Sequence, residues 1–145
     1  MTDQQQGPPQ EAGPQPRPED VDTGFWLWLV AWAMMTIGYV VDLATIPVEG
    51  PAVLVYGVSG VFLVVVSSVV VTFLLLLRQG YRWVRTLLTG GGAATIVYAL
   101  TNLFGVERPT VAAVAFAVTA IIGMVCIAGG LYLLHRKDAH AFFTR

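Results

Sequence analysis

Few residues in this chain could do chemistry. Asp42, Thr101 and Asn102 stand at the ends of apolar segments, and Cys126 is the single cysteine. His135 and His140 are five apart beside Arg136 and Lys137. An ionisable side chain inside an apolar span would be a functional hypothesis by default, but none lies near the middle of one. Asp42 comes nearest. It could hold a cation or proton in a cavity with Thr101 and Asn102 at its mouth, although an acid facing water at the membrane surface is the plainer expectation. Haem ligation asks for histidines facing one another within the bilayer, and a catalytic metal asks for several converging ligands. Two histidines in a basic tail meet neither condition. One cysteine permits no intrachain disulfide or cysteine cluster and reads as a small buried hydrophobe. We therefore expect no catalytic residue, cofactor or metal, and no enzyme.

A second place for chemistry is "RQGYRWVRTLLTGGG", Arg78 to Gly92. A phosphate loop needs its glycines to end in Gly-Lys-Ser/Thr after a strand. Here "AATIVYAL" follows, without a lysine. The stretch is better read as a joint between two membrane helices. Arg78, Arg82 and Arg85 would meet lipid headgroups, together with Arg136 and Lys137, each favoured by about 1 kcal/mol near anionic lipid. Gly80 would supply the tight turn. Gly90, Gly91 and Gly92 would let a neighbouring backbone come close, as membrane helix interfaces favour. The fourth helix offers Ala113, Ala117, Gly123, Ala128, Gly129 and Gly130, which predicts a seam between the third and fourth helices.

The elements that position these residues follow from composition. Of 145 residues 56% are hydrophobic and only 12% charged, against about 25% charged in ordinary soluble domains. Mean hydropathy is +0.70. Crossing a core of roughly 30 Å takes about 20 helical residues, and four apolar blocks come near or above that length: about 25–46, 52–77, 84–106 and 111–134. Runs such as "VVVSSVVV" would suggest a strand in water, but in hydrocarbon only a helix pairs its backbone internally. Ser67 and Ser68 there, like Thr101 and Asn102, could hydrogen-bond across helices. The fold class expected is an all-α membrane protein, an up-down bundle of four transmembrane helices joined by short links.

Three regions result. Residues 1–23 are a polar, Pro- and Gln-rich tail expected to be disordered, residues 24–135 form the transmembrane domain, and residues 136–145 form a basic tail. Seven of the eight basic residues, all but Arg108, fall on one side of a four-span arrangement. That places both termini in the cytoplasm. Trp26 and Trp28, Tyr81 and Trp83 fit the headgroup level on that side. The acidic "PEDVDTG" before the first span is unlike the basic start of a signal peptide.

The basic joint with Arg78, Gly80, Trp83 and Arg85 running into Leu88, Thr89 and the glycines, with a tail carrying Ala139, Ala141, Phe142 and Phe143, resembles the small four-helix membrane proteins common in actinobacteria. The likeness covers roughly residues 24–145. It implies a multi-pass location in the bacterial plasma membrane and no particular reaction. Expected partners are the lipid bilayer and either a membrane protein or further copies of the chain, not nucleic acid. An accessory or assembly subunit is the leading expectation, and a small oligomeric transporter or channel is the alternative. Phe142 and Phe143 could lie on the membrane or dock on a partner.

Overall fold

The computed structural model describes residues 19–45, 47–136 and 143. The chain forms four α-helices, α1 (Glu19–Thr45), α2 (Ala52–Arg78), α3 (Arg82–Gly105) and α4 (Thr110–His135). All four are long and apolar enough to cross a membrane.

Helix α1 begins inside the segment that composition assigns to the tail. Residues 19–23 are helical, which corrects that boundary. Glu19, Asp20 and Asp22 fall in the first turn, where negative charge offsets the unpaired N–H groups of a helix start. Between α2 and α3, Gly80 has φ +84°, its N–H bonds Leu77 O, and the Tyr81 N–H reaches back to Leu76 O. This is the left-handed glycine termination of a helix, and it gives Gly80 the role expected of it.

Within the spans, polar side chains bond their own helix. Ser68 Oγ donates to Val64 O at 2.8 Å, Thr72 to Ser68 O, Thr95 to Gly91 O and Thr101 to Val97 O. The Asn102 side-chain amide donates to Tyr98 O. Among the described residues Ser68, Thr101 and Asn102 make no side-chain bond across helices, because the carbonyl one turn back already satisfies each group.

Helices α1 and α4 make the most extensive contact. Among the described residues α1 and α3 touch the same two neighbours, α2 and α4, and neither diagonal pair approaches within 8 Å between Cα atoms. The buried residues of α4 recur every three or four positions: Ala112, Phe116, Ala120, Gly123, Ile127, Gly130 and Leu134. This single stripe sets glycines against large side chains of α1. The Trp28 indole lies over Gly130, Met35 over Gly123 and Leu27 beside Gly129. In return Leu134 fills the space at Gly24, and Phe116 with Thr119 that at Gly38. Numbers rise along α1 as they fall along α4, so the two run in opposite directions.

The expected seam between α3 and α4 is present, second in extent to that between α1 and α4, but most of the small residues assigned to it face elsewhere. Gly123, Gly129 and Gly130 receive side chains of α1 rather than α3, because the large residues that match them, Trp28, Met35 and Leu27, are carried by α1. Ala113 and Ala117 lie half-buried beside the stripe, one position off its register. Of the α3 glycines only Gly92 is closed, by Trp28 and Ile127, while Gly90 and Gly91 have nothing within 4 Å. Trp28 thus bridges α1 to α3, whose backbones do not meet. It is 7% exposed, which moves it from the headgroup level to the interior, whereas Trp26 stays exposed.

Candidate functional site

At the end of the bundle carrying the α1–α2 and α3–α4 links, Asp42 sits in the last turn of α1. A carboxylate there is disfavoured by the carbonyl ends of the helix and needs a compensating cation. Arg108 supplies it from residues 106–109, the link between α3 and α4. Its Nε donates to Asp42 Oδ1 at 2.6 Å and Nη2 to Oδ2 at 2.7 Å, the paired geometry that suits a guanidinium and a carboxylate. Nη1 donates to Asn102 O at 2.6 Å and to Val106 O at 3.3 Å, closing the carbonyl end of α3. The guanidinium carbon lies 3.8 Å from the Phe116 ring centroid.

One arginine therefore ties α1, α3 and α4 together. Its side chain is 2% exposed and that of Asp42 17%, although the Arg108 residue as a whole is only half-buried. The hydrogen bond to Asp42 raises the Arg108 pKa above its already high ordinary value, outweighing the opposing effect of burial. A raised arginine pKa means that its contribution to stability is complete at every working pH. It fades only as pH climbs through that raised value.

Asp42 is thus an ion-paired residue rather than the water-facing acid expected, and Asn102 joins it through a backbone carbonyl. Thr101 is exposed and bonded to its own helix. The pairing was missed in the sequence. A lone acid at one helix end and a lone arginine on the same side of a four-span chain were the available signal.

Two hollows share Tyr39, Asp42 and Tyr98 in their walls. The larger, about 400 Å³, is an open cleft that also takes in Glu49, Val48 and Asn102. The smaller, about 90 Å³, reaches inward to Met35, Thr95 and Thr119 between α1, α3 and α4.

The opposite end of the bundle gathers the other arginines among the described residues. Arg78 pairs with Asp22, and its guanidinium lies 4.3 Å from the Phe25 ring centroid. Arg136 pairs with Asp20 at 3.2 Å. Arg85 lies over Phe143 at 5.4 Å, and Arg82 is exposed. Arg78 and Arg136, expected at lipid headgroups, thus engage acids that the sequence reading left in the tail. Lys137, His140 and Phe142 lie outside the described residues. Phe143 is 3% exposed and packs in one cluster with Val21, Leu77, Val84 and Leu134, so it docks onto its own bundle. Cys126 is a free thiol packed against the same core. Among the described residues no three metal-binding side chains converge.

Comparison with known protein families, curated proteins and solved structures returns no match for this chain.

Proposed function

We propose that this is a non-enzymatic multi-pass protein of a bacterial cytoplasmic membrane, an accessory or assembly subunit acting through helix–helix association. In this reading the helices form an up-down bundle with the Arg78 end and both termini in the cytoplasm. The supporting observation is helix α2. Only Leu74 and Leu77 of its 27 residues are buried, and both lie in its last two turns. Val70, Phe73 and Leu76 are half-buried against the core, while much of the rest of the helix presents exposed apolar side chains, with Val53 at 86% exposure. A Cβ at Gly57 or Gly60 on that helix, like one at Gly90 or Gly91 on α3, would meet no neighbouring group within 4 Å among the described residues. Small residues of this kind are what closely packed membrane helices use, and the chain leaves these unused.

Mild-detergent purification from native membranes through an N-terminal tag, with mass spectrometry of what accompanies the chain, tests the reading. A stoichiometric membrane protein, or a discrete homo-oligomer lost when Gly57 and Gly60 are both replaced by leucine, supports association. A monomer without companions overturns it. For orientation, reporter fusions after Val48, Arg82, Glu107 and Arg145 should alternate outside, inside, outside, inside. Any other order sinks the arrangement.

The two hollows around Asp42 favour a second reading, a small oligomeric transporter or channel with Asp42, Asn102 and Thr101 near its outer mouth. Under it, Asp42→Asn alters flux or its proton dependence. Unchanged flux would exclude a role for Asp42 in the pathway.

A further inference from the structure

We propose that the 400 Å³ cleft at the Asp42 end is a binding site for an alkylated ammonium ion. Its volume falls within the range of about 300–1,000 Å³ found for small-molecule pockets. Its charge is one-sided. The walls carry two carboxylates, Asp42 and Glu49, and no lysine or arginine. Arg108 holds both oxygens of Asp42 without lining the cleft, so that pair is neutral and Glu49 supplies the net charge. Glu49 is exposed on the α1–α2 link and has no hydrogen bond or ion pair among the described residues.

The rest of the wall selects the kind of cation. Tyr98 and Tyr39, the latter's ring tilted against Phe62 at 6.5 Å between centroids, both stand in the wall, and a cation over a tyrosine face is drawn by the ring's negative quadrupole. Val48 and Val55 make much of the remaining surface apolar. A metal ion or primary ammonium would lose more hydration here than these groups restore. An ammonium wrapped in alkyl groups loses little, and it gains from both the rings and the carboxylate. An anion meets Glu49, and an uncharged ligand gains nothing from it.

The same chemistry could arrive as a free quaternary amine or as the headgroup of a zwitterionic lipid, since the cleft opens at the ends of α1, α2 and α3. Either occupies the site independently of whether the chain assembles with partners, so a failed association test leaves this site standing.

The test is calorimetric titration of the purified chain in dodecyl maltoside with choline, and with 3,3-dimethyl-1-butanol, its uncharged carbon isostere. Saturable choline binding is expected, with none for the alcohol. Glu49→Gln combined with Tyr98→Leu should weaken choline about tenfold, the product of a lost ring contact and a lost exposed charge. Both residues are outside the buried core. Should the double variant elute as aggregate, Glu49→Gln alone should still weaken choline about threefold. No saturable heat, equal binding of the alcohol, or an affinity unchanged in the variants overturns the site. Short-chain phosphatidylcholine that displaces choline identifies the source as a lipid headgroup. Failure to displace identifies a free cation, and both results uphold the cleft.

Discussion

Asp42→Asn should lower the unfolding free energy by about 3 kcal/mol, the scale seen when one member of a buried ion pair is removed. The arginine left behind has a side chain only 2% exposed, and Asn102 O and the Phe116 ring compensate a full charge only in part. Arg108→Met should cost somewhat less, about 2 kcal/mol, because the orphaned Asp42 retains 17% exposure and can draw in water. Combining the two substitutions should cost less than the sum, with a coupling of at least about 1 kcal/mol between groups in direct contact. Equilibrium unfolding of the three variants in one detergent measures this. Strict additivity would mean that the pair does not form. The result also governs the transport reading, since an Asp42→Asn variant that has lost flux must first be shown to be folded.

The second large effect centres on Trp28. Its truncation to alanine should cost about 4 kcal/mol, because the indole packs against both Gly92 and Gly130. The reciprocal changes test the same geometry from the other side. A Cβ at Gly92 would fall 2.7 Å from Trp28 Cη2 and 2.9 Å from Ile127 Cγ2, and one at Gly130 would fall 2.8 Å from Trp28 Cδ1. These approaches force a rigid ring to move, so Gly92→Ala and Gly130→Ala should each destabilise by about 2 kcal/mol. Gly90→Ala and Gly91→Ala meet open space and should be neutral, or favourable by up to about 1 kcal/mol through helix propensity. Thermal unfolding of the four variants separates the outcomes. Three adjacent glycines behaving alike would refute the placement of Trp28. The indole Nε1 is buried without a hydrogen-bond partner among the described residues, so Trp28→Phe should be much milder than Trp28→Ala.

What could be read from the sequence is what depends on neighbours along the chain. Four spans, the short links and the turn at Gly80 follow from apolar run length and from one residue's backbone freedom. The helical start at Glu19 escaped because acids in a Pro-rich leader look solvated. Their partners, Arg78 and Arg136, lie 56 and 116 positions away. The glycines of α4 could be recognised as packing sites, yet glycine spacing does not say whose side chain enters. Trp28, set beside Trp26 near the acidic start of the helix, carried the pattern of an interfacial aromatic. Its burial is decided by Gly92 and Gly130, on two other helices. At the Asp42 end the residue types were visible, but the paired geometry with Arg108 exists only once three helices converge.

The closest union in the molecule joins its first helix to its last. Membrane helices enter the bilayer separately and then find one another, and a growing chain lengthens by about 5–20 residues per second. Some ninety residues separate the end of α1 from the end of α4, so Gly24 and Gly38 wait roughly 5–20 s after α1 is complete for the side chains of α4 that cover them. During that interval α2 offers little cover, because it buries only Leu74 and Leu77. The union of α1 with α4 is therefore the last to be completed as the chain emerges, after Trp28 already has Gly92 of α3 to pack against.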